Sequence, residues 1–266
     1  MNLNQQLAVA ESKYLSRFYK ACQDFFSSCH MPSHDHTHHL RVWQYCKQLL
    51  THAEIQGHSF SDNFIEALLA ATLFHDTGLS RITDERHGPE GTELFKRYIA
   101  NNPDVQLVIL DEAVEAIRMH DLKSPSSLSN AFGIASILTI CDNLDAFGYI
   151  GAYRYAEIYL IRGIGSAEIP TRSLQNIEMR FASFEQHYAQ LPHFYEEQRQ
   201  RYLQACSVFN DKQVMEEVAE AIQQLSVKEQ LGIPEIAETY SKKSKHPFWQ
   251  QLTQELRTFA TNTNLL

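Results

Sequence analysis

The chain lacks any uncharged apolar run of about 18 residues, the length a membrane-spanning helix requires. Its first stretch, MNLNQQLAVAESKYLSRFYKACQDFF, lacks a basic segment followed by an uncharged one, so it does not have the form of a secretory signal. Basic charge is also in deficit, with 23 Lys and Arg against 32 Asp and Glu, for a formal net charge of −9. This balance argues against an extended nucleic-acid surface or an anionic-membrane face, while leaving room for a local basic pocket that holds phosphate. Cysteine is scarce: the five (Cys22, Cys29, Cys46, Cys141, Cys206) are odd in number and nowhere spaced CxxC. Each is therefore read as a small buried apolar group rather than half of a disulfide or a zinc ligand. Repeats and low-complexity linkers are missing as well. These absences describe a soluble protein of a reducing compartment, and a cytoplasmic location is expected.

What the chain does have is enough apolar residue, 44% of 266, to bury a core without staples. The apolar spacing is three and four nearly everywhere, which predicts an all-α fold. A first helix is expected over 5–28, with Leu7, Ala10, Tyr14, Phe18, Cys22 and Phe25 on one stripe. A second begins near His36 and carries Val42, Tyr45, Cys46, Leu49 and Leu50. In SDNFIEALLAATLFHD, Ser61 or Asp62 can cap the start and Gly78 can take the left-handed position after the end. Pro89 suits a first helical turn in HGPEGTELFKRYI. The stretch from Asn102 to His120 reads as one helix with Val105, Val108, Ile109, Ala113 and Ile117 on its stripe. Further helices follow the Ser/Pro segment at 124–129, and from Thr171 onward the chain is long, polar and helical. Phe248 and Trp249, in an otherwise polar tail, are expected to dock on the protein's own core.

Histidine is abundant, with 13 residues, several in short clusters. His38 lies four residues before Val42 and seven before Tyr45, so it shares their buried stripe. His75 and Asp76 end a helix that is apolar all round. His120 closes the stripe through Ile117, and Asp142 follows Leu138 by four. A lone histidine on an apolar face is ordinarily a hydrogen-bonded core residue, and a lone aspartate near a helix end is ordinarily solvated. Here five ionisable groups converge on the inside of several helices, and a buried carboxylate without a partner costs several kcal/mol. A divalent cation resolves that cost, and a mixed imidazole and carboxylate set suits Mn, Fe, Co, Ni, Zn or Mg.

The stretch HDHTHHLRV (34–42) resembles the signature in which a metal-binding histidine is followed three residues later by Arg-Val. FHDTG (74–78) resembles the His-Asp pair that names the HD-domain metal-dependent phosphohydrolases, and ICDNLDAFG (140–148) is similar to that family's closing motif. HGPEGTELF (87–95), AIRMHD (116–121) and LDAFGYIGAYRYA (144–156) extend the resemblance toward small bacterial HD hydrolases that act on nucleotides, over roughly residues 14–165. The chain departs from the pattern at Leu79, Ser80 and Arg81, where many relatives carry Lys or a second acid, and at Ile140, where an Asp is frequent. These departures bear on substrate preference more than on the ligands.

The resemblance implies an HD-domain helical bundle over 1–165, with a C-terminal helical extension over 166–266 packing on it. It implies a metal held by His38, His75, Asp76 and Asp142, with His87 and His120 binding a second ion or assisting at the substrate phosphates as acid or charge donor. Asp76 would both ligate and orient the attacking water. Arg41, Arg81 and Lys123 are candidates for phosphate contact, and His34 is the member of its cluster expected to touch substrate, while His36 and His39 lie beside the ligands or face solvent. The implied cofactor is one or two divalent ions, manganese among them, and the implied reaction is hydrolysis of a phosphoester or phosphoanhydride bond of a small nucleotide-like substrate. Two other classes are weighed beside it: a di-iron oxygenase on the same scaffold, and a non-catalytic nucleotide-binding module signalling through the C-terminal helices. The intact ligand set counts against the last. The long C-terminal helices offer either a cover for the pocket or a homodimer contact.

Overall fold

The computed structural model describes residues 1–31, 34–82, 84, 86–121 and 130–262, and among these the fold is all-α with no strand. The helices are α1 (Leu3–Ala10), α2 (Ser16–Phe26), α3 (His36–Ile55), α4 (Asp62–Phe74), α5 (His87–Asn101), α6 (Leu110–Met119), α7 (Ile134–Leu144) and α8 (Gly148–Ile161). They continue as α9 (Ile169–Tyr188), α10 (Pro192–Asn210), α11 (Lys212–Ala221), α12 (Ile233–Lys243) and α13 (Pro247–Asn262). Two compact units divide within α7. Met1–His30 with His34–Asp142 form the first, and the second runs from Asn143 onward. The sequence places a boundary near 165 instead; in the structure α8 buries its faces against α9, α10, α11 and α13 and so belongs to the second unit.

In the first unit α4 is the central element, buried from Ile65 to Phe74 and packed by α1, α2, α3, α5 and α6. A helix that is apolar all round needs neighbours on every side, and these five supply them. Ser61 starts it by accepting the Phe64 N–H at 3.2 Å, and Asp35 starts α3 by accepting the Thr37 N–H at 2.9 Å. In the second unit Glu255 accepts the N–H groups of Tyr149 and Ile150 at 2.8 and 3.0 Å, placing a carboxylate on the positive end of α8. Trp249 is fully buried there and donates to Glu217 at 2.8 Å, with Phe248 buried beside it. All five cysteines are free thiols; Cys22, Cys46 and Cys141 are buried, and Cys29 and Cys206 are partly so.

Two expectations from periodicity need correction. The stripe of the first helix runs past Phe25, which is partly buried with its ring 6.2 Å from that of Phe74, to Phe26, which is buried. The cause is a π turn at Glu11–Leu15 between α1 and α2. Five α-helical turns take about 18 residues, which from Leu7 leads to Phe25; a π turn takes in one more residue and delivers Phe26. The second correction concerns 102–120. Pro103 drives Asn102 out of the helical region (φ −130°, ψ 70°), Asp104 pairs with Arg17, and the helix starts only at Leu110. Val105 is buried, but Val108 is 72% exposed.

If the π turn only absorbs one surplus residue, deleting the exposed Ser12 should let α1 and α2 join as a regular helix with both stripes still facing the core. Thermal melting is expected to change by no more than a few degrees, with helical circular dichroism retained. A collapsed melting transition would instead mean that the π turn is itself required, for example to set Glu11, which accepts from Trp43 and Lys47 at 2.7 and 2.8 Å.

Candidate metal centre

The last carbonyls of an α-helix have no partner within the helix, and this explains why α4 ends on histidine. His75 caps α4 and its Nδ1–H donates to the Thr72 carbonyl at 2.8 Å. His120 caps α6 in the same way, donating to the Ile117 carbonyl at 2.8 Å. At the start of α5, His87 donates to the Asp84 carbonyl, also at 2.8 Å. A carbonyl oxygen only accepts, so in each ring Nδ1 carries a hydrogen and Nε2 is the atom left to face the site, where it becomes a ligand once it holds no proton. This is how metal-ligating histidines are oriented in general. His38 comes from the first turn of α3 and Asp142 from α7.

These side chains meet around Asp76. His38 Nε2 lies 3.2 Å from His75 Nε2, 3.2 Å from Asp142 Oδ1 and 3.4 Å from Asp76 Oδ2. His75 Nε2 lies 3.6 Å from Asp142 Oδ1 and 3.8 Å from Asp76 Oδ2. Donors bonded to one ion at about 2.0–2.2 Å stand roughly 3–3.5 Å apart; the three His38 distances fall in that range and the two from His75 lie just beyond it, a spacing close to that of a coordination shell. The other oxygen, Asp76 Oδ1, faces His120 Nε2 at 2.9 Å and His87 Nε2 at 3.3 Å, and those two nitrogens are 3.3 Å from each other. Thus two donor groups, His38–His75–Asp76–Asp142 and Asp76–His87–His120, share one carboxylate. His38 and His75 are fully buried, and Asp76, His87 and His120 nearly so.

The charges follow from this packing. Burial alone would raise the Asp76 carboxyl, but His75 and the hydrogen bonds from His120, His38 and His87 hold it well below the usual range. Asp142 is likewise held low against burial by His38 and His75. Burial keeps His75 below the ordinary histidine value, so its ring is a neutral donor. Burial would also lower His87, yet Asp76 outweighs it and pushes His87 up to about 9; His120 is raised for the same reason. The two ionised carboxylates draw protons onto His87 and His120, and a divalent cation that displaced those protons would meet the same demand for positive charge.

Backbone proximity brings the two groups together. Gly78 lies in a tight turn, Thr77–Ser80, and not in the left-handed region expected of it. What excludes a side chain is space: a Cβ there would sit 2.0 Å from the His87 carbonyl oxygen. Gly91 reciprocates from α5, where a Cβ would come within 3.0 Å of the His75 carbonyl. The turn after α4 therefore lies backbone-to-backbone on α5, and His87 reaches Asp76.

The other candidates are placed differently. The His34 ring lies 6.0 Å from that of His38, beside the first group. Arg41 is buried one turn along α3 and donates to the Thr37 hydroxyl at 3.1 Å. Arg81 is half exposed and paired with Glu90 at 2.7 Å. Lys123 lies outside the described residues. His36 is partly exposed near Tyr19, whereas His39 is fully buried against His75. The sequence reading missed Gly91 and the Thr72 carbonyl; the first is signalled only by a small residue one turn after His87, and the second, being backbone, carries no signal.

Residues 36–147 match the family model of the HD domain. All six residues of the cluster fall inside the match. No curated protein and no solved structure gives a significant match. HD domains bind divalent metals and generally act as metal-dependent phosphohydrolases, and the buried His/Asp groups fit a metal site.

Because Gly78 packs without room for a methyl group, Gly78→Ala is expected to destabilise the chain by about 1–3 kcal/mol or more through overpacking. Chemical denaturation measures this directly. An unchanged midpoint would mean that α5 can move away from the HD turn at no cost.

Proposed function

We propose that the chain is a metal-dependent phosphohydrolase whose centre would hold two divalent ions, one on His38, His75, Asp76 and Asp142 and one on Asp76, His87 and His120, and that it hydrolyses a phosphoester or phosphoanhydride bond of a small nucleotide-like compound. The observation that carries this is the division of labour within one carboxylate: Oδ2 faces His38, His75 and Asp142, and Oδ1 faces His87 and His120. Bound divalent ions would supply Lewis-acid polarisation of a phosphoryl oxygen and acidify water. The protein's own part is to hold the donors. Three Nδ1–H groups anchored on backbone carbonyls keep the Nε2 lone pairs facing inward, and near-complete burial excludes bulk water, which strengthens every charge interaction at the site. His34, whose ring lies beside that of His38, would meet the substrate. Arg81 would have to leave Glu90 to do so, and Arg41 would act from within α3.

A second reading, a di-iron oxygenase, is favoured by the same completeness of the six-residue set. Iron that stays bound through purification, with visible absorption and no phosphate release, would select it.

The test is phosphate and pyrophosphate release from a panel of nucleotides and sugar phosphates with Mn²⁺, Mg²⁺, Co²⁺ or Ni²⁺. Asp76→Ala should lose at least about 10³-fold in rate, because one residue serves both donor groups. His34→Ala should raise KM more than it lowers kcat, as expected of a binding contact. Metal-independent release, or equal rates in wild type and Asp76→Ala, would refute the reading.

A further inference from the structure

His39 belongs to neither donor group, yet it is fully buried beside them. Its Nδ1–H donates to the Thr72 carbonyl at 3.1 Å, the same oxygen that receives the His75 Nδ1–H at 2.8 Å. A carbonyl has two lone pairs, so it serves both rings at once. The His39 ring centroid lies 4.6 Å from that of His75, inclined by 53°, and 5.6 Å from that of His38, inclined by 64°. One imidazole thus contacts both imidazoles of the first group, with Phe26 also packed on it at 5.7 Å.

The other nitrogen of His39 poses a problem. Nε2 is buried and has no hydrogen-bond partner among the described residues. A buried polar atom without a partner gives up water and receives nothing in return. An apolar side chain of similar size would fill the same space at lower cost, so packing does not account for a histidine here. What an apolar side chain lacks is the Nδ1–H on Thr72.

We propose that His39 is a positioning residue for the metal centre: by sharing the Thr72 carbonyl with His75 and packing on the rings of His38 and His75, it fixes the orientation in which those rings present Nε2. This rests on the metal-centre reading above. The terminal torsion of a histidine is broad, and one hydrogen bond sets the direction of the His75 ring without fixing its tilt. A second donor on the same oxygen, with its ring against His75, removes that freedom before the ion arrives. Pre-oriented ligands lose less freedom on binding, and groups that orient ligands typically change metal affinity by 10–100-fold.

The experiment uses the full chain as wild type, His39→Leu, His39→Asn and His39→Gln. Two quantities are read: Co²⁺ affinity, by competition with a chelating dye, and the melting temperature of the metal-free protein. His39→Leu is expected to melt at or above the wild-type temperature while binding Co²⁺ about 10–100-fold more weakly. His39→Asn, whose amide N–H stands near the Nδ1 position, is expected to recover most of that affinity. His39→Gln, whose amide stands near Nε2, is not. Wild-type affinity in His39→Leu would overturn the proposal. So would a metal-free melting temperature that falls together with affinity, which would make His39 a packing residue, or rescue by Gln equal to that by Asn. A wild-type chain that binds no Co²⁺ would overturn the metal-centre reading and this proposal with it.

Discussion

The structure of the first unit turns on one carboxylate. Asp76 follows the last helical cap of α4, and each of its oxygens faces a different set of imidazoles. An ionised carboxylate in so dry a place would be untenable alone. It is sustained because four histidines from α3, α5 and the ends of α4 and α6 converge on it, and because Asp142 completes the first group. Each of these helices is in turn held by apolar packing on α4 or its neighbours. The site is therefore a consequence of the core and not an addition to it.

A recurring local device gives the histidines their direction. A ring placed at a helix end, or on the first residue of a helix, finds a carbonyl three residues back, and donating Nδ1–H to it leaves Nε2 facing inward. The same step that satisfies the backbone also creates the ligand atom. It costs no additional residues, which helps a chain of ordinary composition assemble six donors. Backbone contact between Gly78 and the start of α5 then sets the distance between the two groups.

Much of this was legible from sequence. The uniform three-and-four spacing announces an all-α fold, and of the two residues that could cap α4, Ser61 and Asp62, it is Ser61 that does so. His38, His75, Asp76 and Asp142 stand out because each lies on an apolar stripe where a polar residue is costly, and the HD-like motifs name them. What periodicity could not show was where the helix geometry changes. A π turn brings Phe26 onto the first stripe beside Phe25, and the helix that Pro103 delays to Leu110 leaves Val108 exposed. The common habit of helix-ending glycines gives Gly78 a left-handed role, whereas its reason is the close approach of the α5 backbone at His87 and Gly91. Arg81 illustrates the same limit: its pairing with Glu90 is a tertiary fact that no local pattern contains.

The central claim, that Asp76 joins two ion-binding groups, is tested most directly by counting metal. Mn²⁺ or Co²⁺ bound per chain after equilibrium dialysis would be measured by elemental analysis for wild type and for the double variant His87→Ala/His120→Ala. The account requires two ions in the wild type and one in the variant, with the first group intact. One ion in both, or two in both, would contradict it.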